Sequence, residues 1–180
     1  MTAHSGITTG SQGGVESTLA DASATQELGR RLAQVLRAGD LVILTGDLGA
    51  GKTTLTQGIG EGLGVRGRVA SPTFIIAREH AATGSGPGLI HVDAYRLGSI
   101  AEVDALDLDS SMAESVTVVE WGAGLVEGLA QDRLEIDLER PRGVGEGPGT
   151  DVAEAAAADQ PRRVILRGVG ERWAGVDLPV

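Results

Sequence analysis

The chain has 180 residues and a formal net charge of −10, a length that suits one domain and an acidic balance that disfavours direct binding to nucleic acid. It contains no cysteine, which excludes disulfides, a thiolate nucleophile and a cysteine-ligated zinc site. No segment has the roughly 18 apolar residues of a membrane helix, and the N-terminus has no apolar signal core, so we expect a cytoplasmic protein with no membrane association.

The composition along the chain predicts one domain over residues 15–180 and two segments that stay outside its core. Residues 1–14 form a polar lead-in that we expect to be disordered. Residues 141–161 are rich in Gly, Ala and acidic residues, and they cannot bury enough apolar surface to offset the entropy lost on ordering. We interpret this segment as a flexible insertion in a hairpin connection.

Apolar periodicity predicts strands that alternate with helices. The first helix is expected to begin with a capping box of Ser23 and Gln26 and to end at residues 38–40. The other helices are expected from Lys52 to about Gly62 and over "SIAEVDALDL" with a Ser99 cap. The strands are expected at 15–19, at 41–45, from Thr73, up to Asp93, up to Glu120, in "RLEIDLER" as an edge or half-buried strand, and in "RRVILRGVG". This order predicts an α/β fold with a largely parallel central sheet.

The stretch "GDLGAGKTT" follows the apolar run at 41–45 and matches the P-loop pattern G-x-x-x-x-G-K-[ST]. Backbone N–H groups of such a loop surround phosphates, its lysine reaches the β- and γ-phosphates, and its threonine hydroxyl binds Mg²⁺. The residues predicted to bind a nucleotide are Gly46, Asp47, Leu48, Gly49, Ala50, Gly51, Lys52, Thr53 and Thr54. The motif also refines the fold prediction to a three-layer, P-loop NTPase-like domain with helices on both faces.

Lys52 is the only lysine of the chain, and all other Lys or Arg positions are arginine. A compact ammonium group fits between two phosphates where a planar, forked guanidinium does not, which is consistent with a lysine at this position. The single lysine also indicates which nucleotide base the protein would recognise. The guanine-specific motif Asn-Lys-x-Asp would require a second lysine, so ATP is favoured over GTP.

Two acidic residues end apolar strands, Asp93 after "LIHV" and Glu120 after "VTVV". A P-loop needs such an acid to hold Mg²⁺ or to orient water. Because ligands of open α/β sheets bind at the carboxyl ends of the strands, both carboxylates are expected beside the loop. Either residue could instead be an ordinary acid at a strand end.

Four motifs together resemble the TsaE (YjeE) family, small bacterial ATPases required for threonylcarbamoyladenosine modification of tRNA. They are "GDLGAGKTT", "SPTF" at 71–74, "HVDAYRL" at 91–97 and "VVEW" at 118–121, and the similarity extends from about Thr18 to Glu139. The resemblance implies Mg²⁺-dependent ATP hydrolysis that resets a TsaD–TsaB complex acting on tRNAs that read ANN codons. The chain would bind ATP and ADP, would meet tRNA only indirectly through its partners, and would hydrolyse ATP slowly by itself.

The resemblance also implies roles for individual residues. The catalytic residues would be Lys52, Glu120, Asp93 and Thr73, and the Mg²⁺ ligands Thr53, Glu120 and Asp93. Ser71 would act with Thr73 to sense the γ-phosphate. Trp121 would matter for activity or simply pack beside Glu120, His91 would be structural, and Thr25 would lie near the base. One departure is Ala123, which stands where the family often has an acid.

Two other functions are compatible with the P-loop. A small P-loop kinase that phosphorylates an unidentified acceptor would need an acceptor pocket and an arginine-rich lid, and the arginine pairs at 30–31 and 162–163 do not have a lid-like setting. A nucleotide-binding protein without catalysis would be expected to lack the acids at 93 and 120, which are present. These residues therefore favour the ATPase.

Overall fold

A computed structural model of the protein describes residues 14–71, 76–99, 101–102, 109–140 and 160–180. The strands are β1 (Gly14–Leu19), β2 (Leu41–Thr45), β3 (Ala77–His80), β4 (Gly88–Asp93), β5 (Ser115–Glu120), β6 (Arg133–Glu139) and β7 (Arg162–Val169). The helices are α1 (Ala22–Ala33), α2 (Lys52–Leu63) and α3 (Asp109–Met112), with single 3₁₀ turns at Ala94–Arg96, Glu127–Leu129 and Glu171–Trp173.

The strands form one sheet in the order β1-β7-β6-β2-β5-β4-β3. Its four central strands, β6, β2, β5 and β4, are parallel, and the remaining pairings are antiparallel. The predicted α/β fold with a mainly parallel centre is confirmed. Strand β6 was predicted as an edge or half-buried strand; it lies between β2 and β7, so the edge alternative is wrong and the half-buried one is confirmed. Its alternating pattern arises because only one of its faces is fully buried.

Helices cover both faces of the sheet, as predicted. Side chains alternate along β2, so that Val42 and Leu44 pack under α1 and α2 while Leu41 and Ile43 point to the opposite face. That opposite face is covered more thinly, by α3 and the 3₁₀ turn at Glu127–Leu129. The larger layer therefore lies on the face where α2 begins.

Both predicted ends of the first helix are corrected. The N-cap is Asp21, whose Oδ1 accepts a hydrogen bond of 2.8 Å from the N–H of Ala24, and Ser23 lies inside the first turn. Aspartate and serine are both good caps, and the extended backbone of Asp21 decides between them. The helix ends at Ala33, before residues 38–40, although Leu36 beyond it is still buried in the core.

Several predicted segments lie wholly or mainly outside the described residues. These are the lead-in up to residue 13, the strand start at Thr73, most of the helix over "SIAEVDALDL" and the insertion up to residue 159. The strands that flank the insertion, β6 and β7, are antiparallel neighbours, with Glu139 opposite Arg163. Within the described ranges no helix is both long and apolar enough to cross a bilayer, α1 and α2 having 12 residues each.

Candidate functional site

The P-loop connects the carboxyl end of β2 to the first turn of α2, as the motif predicts. Gly51 is the N-cap of α2 and has a φ of 105°, in a region that favours glycine. A Cβ atom at Gly46 would lie 2.3 Å from the carbonyl oxygen of Leu138, so the loop passes directly against β6. Gly46 also has a φ of 147°, so both positions require glycine for their conformation, and Gly46 requires it for the close approach as well.

Lys52 is folded into this loop. Its side chain is 5% exposed, and its Nζ donates to the carbonyl oxygens of Gly46 at 2.6 Å and Asp47 at 3.0 Å. The ammonium also lies 3.8 Å from the centre of the Trp121 ring. Burial lowers the pKa of Lys52, and the neighbouring carboxylates, with Glu120 foremost, oppose that shift. Lys52 is therefore a partly desolvated cation that forms no ion pair with a carboxylate of the described residues.

We expect the Lys52→Met variant to be more stable than the wild-type protein in the absence of nucleotide, by about 0.5–2 kcal/mol, because function-bearing sites often cost stability. The pKa of Lys52 is lower in the folded than in the unfolded chain, so the charged lysine penalises folding. The penalty declines as the pH rises from the folded-state pKa toward the ordinary value of about 10.4. Urea unfolding at neutral and alkaline pH measures this difference.

The exposed Arg37 provides the control for this prediction, since Arg37→Met also removes a cation but from a solvated position. A Lys52→Met variant that is less stable than wild type at neutral pH would contradict the prediction. So would a gain in stability that grows, rather than shrinks, with rising pH.

Thr53, Glu120 and His91 form a hydrogen-bonded chain beneath the start of α2. The Thr53 hydroxyl donates to Glu120, with Oγ1 at 3.0 and 3.1 Å from the two carboxylate oxygens. His91 Nε2 lies 2.7 Å from Glu120 Oε1. Glu120 is 3% exposed and His91 is fully buried. The structure thus brings together the predicted metal ligands Thr53 and Glu120 and links His91, which was expected to be structural only, directly to one of them.

Asp93 ends β4 opposite Glu120 at the end of β5, so both predicted acids lie at the same edge of the sheet. The two carboxylates differ in their surroundings. Asp93 is half-buried, and its Oδ1 accepts a hydrogen bond of 3.0 Å from the N–H of Tyr95, which caps the following 3₁₀ turn. Its charge, like that of Glu120, opposes the lowering of the Lys52 pKa by burial.

Trp121 covers the mouth of the loop. Its ring lies between Lys52 and Tyr95, whose ring centre is 5.1 Å away at an angle of 60°. Its φ is 62°, the one positive value at a non-glycine residue in the described part of the chain. Such backbone costs about 1–3 kcal/mol and is concentrated at functional sites. Trp121 therefore contacts both Lys52 and Tyr95, and its contact with the lysine was not part of either sequence interpretation.

The remaining residues singled out from the sequence differ in their exposure and in their distance from the loop. Ser71 is exposed, and Thr73 lies outside the described residues. Thr25 is buried, its hydroxyl donates to the carbonyl oxygen of Asp21, and its methyl group lies beside Gly51. Ala123 is exposed.

Sequence reasoning did not place two arginines beside the P-loop, although it considered the pair at 162–163 and judged its setting not lid-like. Arg162 is 3% exposed and its Nε donates to the carbonyl oxygen of Ala50 at 3.1 Å, while Arg140 Nη1 reaches that of Gly49 at 3.4 Å. Burial first, and then the charge of Arg140, lower the pKa of Arg162. The hairpin pairing of β6 with β7 is the signal that could have placed both arginines at this edge. They add positive charge around the loop of an acidic protein.

A cleft of about 590 Å³ opens next to the loop, between the carboxyl ends of β2 and β6. Its lining residues are Thr45, Gly46, Asp47, Asp137, Leu138, Glu139 and Arg140. The chain leaves β2 toward β3 at one edge of the sheet and leaves β6 toward β7 on the other side, so the cleft lies where the connections diverge, which is where open α/β sheets bind ligands. Within the described ranges, no cluster of three or more His, Asp or Glu side chains is arranged to hold a metal ion.

Comparisons with known proteins show which family the chain resembles. Residues 19–145 match the family model of the threonylcarbamoyl adenosine biosynthesis protein TsaE. The TsaE protein of Streptomyces coelicolor is 58% identical over 156 residues, 86% of this chain and 97% of that protein. The TsaE protein of Mycobacterium leprae is 52% identical over 125 residues, 66% of this chain and 78% of that protein. A crystal structure of Bacillus subtilis YdiB matches with a TM-score of 0.63 and 30% identity over 89% of both chains. The chain therefore belongs to the TsaE family, whose members take part in threonylcarbamoyladenosine biosynthesis in tRNA.

Proposed function

We propose that this protein binds ATP with Mg²⁺, hydrolyses it, and thereby supports a TsaD–TsaB complex in the N6-threonylcarbamoyladenosine modification of tRNAs that read ANN codons. The observation that carries the proposal is the pairing of Lys52, held inside the P-loop, with a Thr53 hydroxyl that donates to the buried carboxylate of Glu120. Family membership supports the link to tRNA modification.

The loop binds the phosphates through its backbone N–H groups and Lys52. In this structure the lysine donates to the carbonyl oxygens of Gly46 and Asp47. Charged phosphate oxygens are stronger acceptors than amide carbonyls, so Lys52 exchanges these partners for the β- and γ-phosphates. Arg140 and Arg162 offset part of the acidic charge of the protein at this edge. The adjoining cleft of about 590 Å³ is available for the nucleoside and lies within the usual size range of small-ligand sites.

The side chains at 53 and 120 suit Mg²⁺, which prefers oxygen ligands. Thr53 Oγ1 lies 3.0 Å from Glu120 Oε1, so a hydroxyl and a carboxylate already face one another. When bound, Mg²⁺ supplies positive charge that neutralises the charge developing on the transferred phosphoryl group. Glu120 holds the ion directly or through water, orients the attacking water, or both, and Asp93 supports the metal from the neighbouring strand. Ser71 and Thr73 are proposed to respond to the γ-phosphate.

The dependence on a partner is proposed from the open rim of the site. Leu48, within the P-loop, is 87% exposed, and Tyr95 on the opposite side of Trp121 is 69% exposed. A site that is open to water stabilises the transition state poorly until a further surface closes over it. We therefore expect slow hydrolysis by the protein alone and faster hydrolysis with TsaD–TsaB, with tRNA contacted only through those partners in the cytoplasm.

The test is steady-state ATP hydrolysis with Mg²⁺, measured for the protein alone and with TsaD–TsaB and tRNA. The expected result is slow turnover alone, a rise with the complex, and no turnover in the Lys52→Ala variant. Substantial turnover that does not depend on the complex would contradict the proposed partnership. If ATP binds but the complex has no effect, the kinase alternative becomes the next candidate, and transfer of the γ-phosphate to small acceptors would be measured.

A further inference from the structure

His91 makes a contact with the site that its place on a central strand did not suggest. It lies on β4 opposite Val118 of β5, and Glu120 is two residues further along β5 on the same face. The imidazole is fully buried, and its Nε2 is 2.7 Å from Glu120 Oε1. The two strands thus place a buried histidine next to the carboxylate, whose other side-chain partner is Thr53 of α2.

The second ring nitrogen shows which form of the histidine this arrangement favours. Nδ1 is buried and has no hydrogen-bond partner among the described residues. A proton on Nδ1 would be a buried donor without an acceptor, which costs about 1–3 kcal/mol. A proton on Nε2 instead points at a carboxylate oxygen 2.7 Å away. The geometry therefore favours the tautomer that carries its proton on Nε2 and donates it to Glu120.

The Thr53 hydroxyl, the other donor to Glu120, also has a proposed role in binding the metal. Thr53 Oγ1 contacts both carboxylate oxygens, at 3.0 and 3.1 Å, but under the proposed function its oxygen also coordinates Mg²⁺. His91 has no other polar partner among the described residues. The hydrogen bond from His91 to Glu120 therefore does not depend on whether Thr53 coordinates Mg²⁺.

We propose that His91 is a positioning residue that, through its hydrogen bond to Oε1, holds the Glu120 carboxylate in the orientation in which it faces Thr53 and the metal. This inference rests on the proposed function and adds to it a residue hydrogen-bonded to the metal ligand. Hydrogen-bonded residues behind a metal ligand typically change metal affinity or activity by about 10–100-fold when they are removed.

The test compares two substitutions of the same residue. Glutamine places its amide nitrogen the same number of bonds from Cα as His Nε2, so His91→Gln keeps a donor to Glu120, whereas His91→Leu removes it. Calorimetric titration with ADP, once with Mg²⁺ and once with EDTA, gives the gain in nucleotide affinity due to the metal. We expect His91→Leu to reduce that gain about 10-fold or more, with ADP affinity in EDTA unchanged, and His91→Gln to retain it within about threefold.

His80→Leu is the matched control, because His80 is also a buried strand histidine but contacts the carbonyl oxygen of Arg66, away from the site. Thermal unfolding of each ligand-free variant separates folding from positioning. If His91→Leu does not fold, His91→Asn replaces it, since its shorter amide does not reach Oε1. Nitrogen-15 NMR of the ligand-free protein provides an independent readout, with the Nε2–H tautomer expected for His91.

Three results would overturn the inference. The first is a folded His91→Leu or His91→Asn variant whose gain in ADP affinity due to Mg²⁺ equals that of the wild type, and the second is a loss of that gain in His91→Gln as large as in His91→Leu. The third is an NMR spectrum that shows the proton on Nδ1 of His91. In each case the proposed function still stands if the wild-type protein binds ADP more tightly with Mg²⁺ than in EDTA. A wild-type protein that does not bind ADP at all would overturn the proposed function itself, and this inference with it.

Discussion

The Glu120→Gln variant is expected to hydrolyse ATP at least about 100-fold more slowly than the wild-type protein in the presence of TsaD–TsaB and tRNA, while it still binds nucleotide. The amide has the shape of the carboxylate, so it can accept from His91 Nε2 and donate to the Thr53 hydroxyl, and the fold is retained. The lost negative charge is what orients water and holds Mg²⁺ in the proposed reaction.

Nucleotide binding without metal should respond in the opposite direction. Removing a buried negative charge beside the phosphate site relieves repulsion, so ADP in EDTA should bind the variant at least as tightly as it binds the wild type. Steady-state hydrolysis and calorimetric titration measure the two effects. Glu114→Gln is the matched control, because Glu114 is exposed just before the opposite end of the same strand. Wild-type turnover in Glu120→Gln would remove Glu120 from the proposed mechanism.

The Arg172→Met variant is expected to lose about 3–5 kcal/mol of folding free energy, because it leaves a buried carboxylate without its cation. Arg172 donates from Nε and Nη2 to the two oxygens of Asp40, at 3.0 and 2.8 Å, and from Nη2 to the carbonyl oxygen of Val35 at 2.7 Å. Asp40 is 7% exposed. This bidentate pair ties the C-terminal 3₁₀ turn to the residue that precedes β2, the strand leading into the P-loop.

Urea unfolding of the single variants and of the pair Asp40→Ala and Arg172→Met measures this contribution. The double variant should lose less stability than the sum of the single losses, because the two side chains act as one unit. Arg163→Met is the comparison, since the ion pairs of Arg163 with Glu16 and Glu139 are exposed and should contribute much less. Additive losses, or equal losses at 172 and 163, would contradict the proposed role of this pair.

The features that sequence reasoning placed well are those encoded by neighbouring residues. The strand at 41–45, the start of α2 at Lys52 and the strand ends at Asp93 and Glu120 all agree with the structure. Apolar runs that stop at a polar residue mark where a buried strand reaches the edge of the sheet. Helix α1 shows the limit of this approach, because Asp21 and Ser23 are both acceptable caps and the local sequence does not decide between them.

The P-loop, its lysine and the two candidate acids were determined by the sequence alone, because each is marked by its neighbouring residues, a glycine-rich loop or the end of an apolar strand, and its chemistry is specific. The tertiary structure decided what surrounds them. The pairing of β4 with β5 brings His91 onto Glu120, and the hairpin of β6 and β7 brings Arg162 onto the loop. The turn after β5 folds Trp121 over Lys52. These contacts join residues 29 to 112 positions apart, and strand order and register, which set them, depend on the packing of the whole sheet.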